Sequence, residues 1–133
     1  MKIVEVRAIR ADRYCYARIL TDEGIYGIGE SGAFGALDAS AAQIRTFGQF
    51  LVGKDPLDIE HLWQAMFRGS YFRGAAVMGA ISAIDVALWD VAGKYYGVPV
   101  YKLTGGKCRD KVRVYGHVLA RNDEELVENC KKK

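Results

Sequence analysis

The chain has 133 residues, enough for one domain with a real core, and half of them are hydrophobic against 26% charged. Its formal net charge is +3, and without Lys131, Lys132 and Lys133 the remaining basic residues equal the 16 acidic ones. That balance leaves no electrostatic footprint for nucleic acid, and neither a signal peptide nor a run of about twenty apolar residues is evident.

Residues 2–30 read as strands. Lys2–Arg10 is rich in Val and Ile, and Cys15–Leu20 alternates Arg18 with Ala17 and Ile19 around it. Ile25–Glu30 follows the polar turn Thr21-Asp22-Glu23-Gly24, a hairpin signal. Three strands with short links predict an antiparallel sheet. Ser31–Ala36 reads as a loop, and three helices are expected after it. The first carries Leu37, Ala41, Ile44, Phe47 and Leu51 at helical spacing and stops near Gly53. The second is expected to begin at Asp55-Pro56, with Asp55 as cap and Pro56 in the first helical position. Its apolar stripe is Ile59, Leu62, Trp63, Met66 and Phe67.

The third helix is expected from about Val77 to Tyr96, with Gly97 and Pro99 ending it. Ala80, Ala83 and Ala87 line a strip where another element could approach closely. Val112–Leu119 then reads as a strand and Asn122–Lys133 as a helix capped by Asn122. Strands grouped before helices make an α+β class: a three-stranded antiparallel sheet followed by a helical bundle. The last strand and helix read as the start of an incomplete (β/α) barrel. The expected division is 1–110 and 111–133.

Chemical constellations are few. Cys15, Cys108 and Cys130 are isolated and odd in number, so a reducing, cytoplasmic setting is expected. His61 and His117 have no Asp or Glu at a ligand spacing. Gly27-Ile28-Gly29 lacks the rest of a dinucleotide fingerprint, and a tight strand explains it better. Lys102, Lys107, Arg109 and Lys111 surround a Gly-Gly turn but are interrupted by Asp110. Asp85 and Trp89 share a helix face, and Asp90 and Lys94 can pair.

The segment Ala80-Ile81-Ser82-Ala83-Ile84-Asp85-Val86-Ala87-Leu88-Trp89-Asp90-Val91-Ala92-Gly93-Lys94 continues to Gly97-Val98-Pro99 and Leu103-Thr104-Gly105-Gly106. It resembles the signature of the mandelate racemase/muconate lactonizing enzyme group of the enolase superfamily. Thr21–Glu30, Gly53–Pro56 and Ile59–Trp63 resemble the same group, so the likeness runs along the whole chain. Thr104 departs from it, standing where a large apolar residue is usual. Arg73-Gly74 resembles the acid-sugar dehydratase branch.

The resemblance implies an N-terminal capping domain over the mouth of a barrel, acting on a hydroxy-acid or sugar-acid substrate. The implied reaction, a dehydration or racemisation, removes a proton next to a carboxylate, with Mg²⁺ stabilising the ene-diolate. The family's metal ligands and bases lie on barrel strands. No catalytic or metal-binding residue is therefore expected in this chain, and the chain alone is expected to be inactive. Two loops are implied to close over the substrate, Asp12-Arg13-Tyr14 and Ser31–Gly35. Arg13 would face a carboxylate, while Tyr14 and Phe34 would exclude water; an ordinary hairpin tip and an ordinary connection remain the alternatives. Asp85 is expected to anchor a neighbouring loop or domain. The expected partners are the barrel, the acid substrate and further copies of the chain, without nucleic acid or membrane. A non-catalytic interaction or dimerisation module on the same fold is the other reading.

Overall fold

A computed structural model describes residues 1–132; Lys133 of the basic tail lies outside them. Three strands form an antiparallel sheet in chain order: β1 (Ile3–Ala11), β2 (Tyr14–Thr21) and β3 (Tyr26–Glu30). The register pairs Ala8 with Ala17 and Ala17 with Gly29. Period-two alternation turns Cys15, Ala17, Ile19 and Thr21 of β2 to the interior. Five helices follow: α1 (Leu37–Leu51), α2 (Ile59–Gly69), α3 (Ala75–Tyr96), α4 (Val100–Leu103) and α5 (Asp123–Lys131). The expected α+β class, a sheet followed by helices, is the observed one.

α1 buries Ala41, Ile44, Phe47 and Leu51, as their spacing predicts. Gly48 sets α1 close to β1, since a β-carbon there would lie 3.1 Å from Val6. The chain leaving α1 is stitched back to the sheet. Ile3 N–H donates to the Lys54 carbonyl at 2.9 Å, and Gly53 N–H donates to the Ile3 carbonyl at 2.8 Å.

α3 is the centre of the domain. It packs on β2, β3, α1 and α2, and Ile81, Ile84, Leu88 and Val91 are fully buried. Each such side chain contributes about 1.5–3 kcal/mol. The helix is long and apolar enough to cross a membrane by length and composition alone, although Asp85, Asp90 and Lys94 interrupt its apolar run. Its packing against sheet and helices makes it the core helix of this domain. It ends in a Schellman motif: Gly97 is left-handed at φ 66°, Val98 N–H donates to the Gly93 carbonyl, and Gly97 N–H donates to that of Lys94.

The alanine strip has a partner, and it is β3. A β-carbon on Gly27 would lie 2.0 Å from the Ala87 carbonyl oxygen, and one on Gly29 2.0 Å from that of Ala83. Strand and helix backbones therefore meet directly.

Three local expectations are corrected. Asp55-Pro56 forms a turn rather than the start of α2. The Asp55 carboxylate accepts from Leu57 N–H at 2.9 Å and its carbonyl accepts from Asp58 N–H, so an Asx-type turn closes before the helix begins. Between Pro99 and Gly105-Gly106, where the sequence predicts only a short turn, the chain forms the four-residue α4. Val112–Leu119 is not a strand: no strand lies beside it among the described residues, and without one its backbone has no ladder to join. All its side chains but the half-buried Val118 stand exposed, Leu119 at 85%. α5 does form where expected, with the Asn122 side chain accepting from Glu125 N–H at 2.8 Å.

Candidate functional site

Two loops meet at one end of the domain. The β1–β2 turn is Asp12-Arg13, with Asp12 at φ 49°, a left-handed conformation that Asp tolerates. The Arg13 guanidinium lies 5.6 Å from the centre of the Tyr14 ring, which stacks on Tyr16 at 6.1 Å. Loop 31–36 starts beside this hairpin, because Ser31 N–H donates to the Cys15 carbonyl at 2.8 Å.

The root of that loop is fixed from three sides. The hydroxyls of Ser31 and Ser40 are hydrogen-bonded at 2.7 Å in a buried setting. Ser31 and Ala33 crowd Gly79 of α3, where an added β-carbon would lie 2.6 Å from the Ser31 hydroxyl. Burial pushes the Cys15 thiol up from its ordinary range, so it stays protonated beside this root. Beyond the root the loop rises into solvent, and Phe34 is 77% exposed.

Arg10 joins the two loops. Its Nε donates to the Asp38 carboxylate at 2.9 Å, and its Nη1 donates to the Tyr14 carbonyl. A solvent-open cavity of about 430 Å³ lies beside it, lined by Arg10, Gly35, Ala36, Leu37, Asp38 and Ala39. Arg13, Tyr14 and Phe34 thus share one end of the domain but are linked through Arg10. Sequence reasoning did not single out Arg10. Its partner is 28 residues away, and no spacing rule announces such a pair.

Arg73 takes a different place. Its guanidinium lies 3.9 Å over the Phe67 ring and donates to the Phe67 carbonyl, so it shapes the α2–α3 connection. That leaves Tyr71 and Phe72 standing 88% and 81% exposed.

Asp85 lines a groove of about 400 Å³ with Ile59, Glu60, Trp63, Gln64 and Trp89. Burial, then the neighbouring Glu60 charge, holds its carboxyl above the usual carboxylate range. No hydrogen bond among the described residues reaches it. The anchoring expected of Asp85 falls to Asp90, which accepts from Ile28 N–H at 3.0 Å and from Lys94 Nζ at 2.8 Å. Lys94 also donates to the Tyr26 carbonyl at 2.7 Å. The pair satisfies two of the outward-facing groups of the β3 edge, the Ile28 N–H and the Tyr26 carbonyl, which would otherwise be open to another strand.

The residues present do not fit a divalent cation. Among the described residues no three His, Cys, Asp or Glu side chains converge, and a hard cation needs several oxygen ligands at once. Lys107, one of the basic residues around the Gly-Gly turn, is paired with Asp110 at 2.7 Å.

Residues 3–105 match the family described as mandelate racemase / muconate lactonizing enzyme, N-terminal domain. The chain belongs to this family. It is 43% identical to a D-galactonate dehydratase of Variovorax paradoxus over 99% of its own length, and 40% identical to one of Pectobacterium atrosepticum over the same share. It spans only 35% of each of these relatives. An enolase of Pantoea ananatis, solved with bound D-gluconate and Mg, superposes with a TM-score of 0.88 at 36% identity. That match covers 98% of this chain and 33% of that one. The capping-domain fold and the acid-sugar dehydratase branch named by Arg73-Gly74 are thereby shown.

Proposed function

We propose that residues 1–110 are the capping and substrate-specificity domain of a Mg²⁺-dependent acid-sugar dehydratase, and that residues 111–133 begin its barrel. The observation that carries this reading is the gathering of the 12–14 turn and the 31–36 loop at one end, with Phe34 presented to solvent. The relatives named D-galactonate dehydratase are about three times longer, which leaves room for a barrel.

Mg²⁺, when bound by the barrel, would stabilise the charge that develops as a proton leaves the carbon next to the carboxylate. Among the described residues no cluster of candidate metal ligands occurs, and the work assigned to this domain is recognition. Arg13 offers a guanidinium to the substrate carboxylate. Tyr14 and Phe34 cover the bound acid and exclude water. Three unpaired cysteines fit a reducing, cytoplasmic compartment.

The test is a chimera of residues 1–133 with the remaining two thirds of the Variovorax enzyme. It is expected to dehydrate D-galactonate with Mg²⁺, while residues 1–133 alone are expected not to. Arg13→Ala in the chimera is expected to raise KM about tenfold and leave kcat within about threefold, as loss of a ground-state contact does. Turnover by residues 1–133 alone, or an unchanged KM in a folded, active chimera, would count against the reading.

The second reading, an interaction module, draws on the exposed Tyr71–Phe72 pair and residues 112–119. A discrete dimer in sedimentation, lost on Phe72→Ser, would favour it.

A further inference from the structure

We propose that Arg10 is a positioning residue that holds the 12–14 turn and the 31–36 loop as a single closing unit. Its consequence for substrate binding rests on the capping reading above; the latch itself does not.

The argument starts from where the guanidinium sits. Arg10 lies near the end of β1, opposite Cys15 in the ladder, two residues before the Asp12-Arg13 turn. One edge of the guanidinium holds the carbonyl of Tyr14, across that turn. The other holds Asp38, in the first turn of α1 and two residues beyond the loop. Negative charge at that helix start is favourable in itself, so Asp38 is well placed to accept. A single planar fork thus spans two segments that share no other side-chain bond among the described residues.

The loop is consequently held at both ends, with Ala33 packed against Gly79 and Phe34 standing in solvent between them. At its root, Ser31 is held by Ser40 and by the Cys15 carbonyl. At its far end, Asp38 is held by Arg10. Between them Gly32 and Gly35 have open space around their α-carbons, and Gly35 sits at φ 79°. The far end is also the side on which the 430 Å³ cavity opens, so release of Arg10 leaves the loop somewhere to go. An isolated surface ion pair would hold one end to one side chain and transmit nothing. The Arg10 fork differs because any shift of α1's start or of the hairpin turn is felt by the other.

The experiment is amide exchange by NMR on residues 1–133, with the fold checked by circular dichroism. Tyr14 reports the hairpin, and Phe34 and Ala36 report the loop, where their N–H groups bond to the Gly32 and Ala33 carbonyls. Arg10→Ala is expected to speed exchange at all three about three- to tenfold. Asp38→Ala is expected to speed Tyr14 as well, although Asp38 does not touch it, and the double variant is expected to add nothing further. An unchanged Tyr14 in Asp38→Ala, or a double variant whose effect is the product of the two singles, would overturn the latch. In the chimera, Arg10→Ala is expected to raise KM for D-galactonate about fivefold with kcat within about twofold. Coupled exchange with an unmoved KM would instead overturn the capping role of these loops and leave the latch standing.

Discussion

β3 and the 31–36 loop are consecutive in the chain, and each carries two glycines for opposite reasons. In β3, Gly27 and Gly29 leave no room, because the α3 backbone occupies the place of a side chain. In the loop, Gly32 and Gly35 have nothing near them, and what they supply is conformational freedom. The same residue type fastens a strand to a helix on one side of Ser31 and loosens the backbone on the other. Ser31 marks the change, buried and bonded to α1 and to β2.

The sharpest way to break this comparison is to give both regions a side chain. Gly29→Val places branched carbons against the Ala83 carbonyl, where only a backbone shift could relieve them. A loss of about 3 kcal/mol or more, or failure to fold, is expected in urea denaturation. Gly32→Ala, whose added carbon meets nothing, is expected to stay within about 0.5 kcal/mol of the parent. Similar losses for the two would show that the close approach of β3 to α3 is not what holds the domain.

Half of that packing was legible in the sequence. The small-residue strip at Ala80, Ala83 and Ala87 follows from helical spacing, and the tight strand follows from two alternating glycines. That the two features meet depends on the hairpin bringing β3 over α3, which no local pattern states. Strands and helices were legible wherever burial imposes a period, as in β2 and α1. Val112–Leu119 has the strand period too, yet it forms no strand, because a strand also needs a neighbour. At the candidate site the two loops could be named from the resemblance, but Arg10 could not. Its partners, Tyr14 and Asp38, are brought to it by the hairpin and by α1, and a strand-end arginine looks like any solvated one.

The next prediction bears on the boundary residue itself. Ser40→Ala removes one partner of a buried hydroxyl pair and leaves Ser31 without it. A loss of about 1–2 kcal/mol is expected, together with faster amide exchange in residues 31–36 and little change in β3. Loosening of β3 as well would mean that the two regions are not separable at Ser31.

A smaller effect is expected at the far edge of β3. Asp90→Ala frees the Ile28 N–H and leaves Lys94 without its carboxylate. Because the pair is partly solvated, about 1 kcal/mol is expected rather than the full value of a buried charge-assisted bond. The exposed strand edge is expected to increase association at high concentration, measurable by light scattering. A variant that loses stability but stays monomeric would show that the pair braces β3 without guarding its edge.

The smallest effect is expected on the face of α3 turned away from β3, at Asp85. Its carboxyl is held above the ordinary 3.8 by burial and by Glu60. In the unfolded chain the same group ionises near that ordinary value, so above it the folded state binds more protons than the unfolded one. Stability therefore declines as pH rises from about the ordinary value to the folded one, and the deficit stays constant at higher pH. Asp85→Asn removes the charge and should gain stability at pH 7 but not at pH 3, where both forms are neutral. The groove is open to solvent, so screening limits the gain to a few tenths of a kcal/mol. Glu60→Gln should recover part of it. An equal gain at both pH values in urea denaturation would assign the effect to packing against Trp63 and Trp89. A loss at pH 7 would mean that the carboxylate has found a donor, which would make Asp85 an anchor after all.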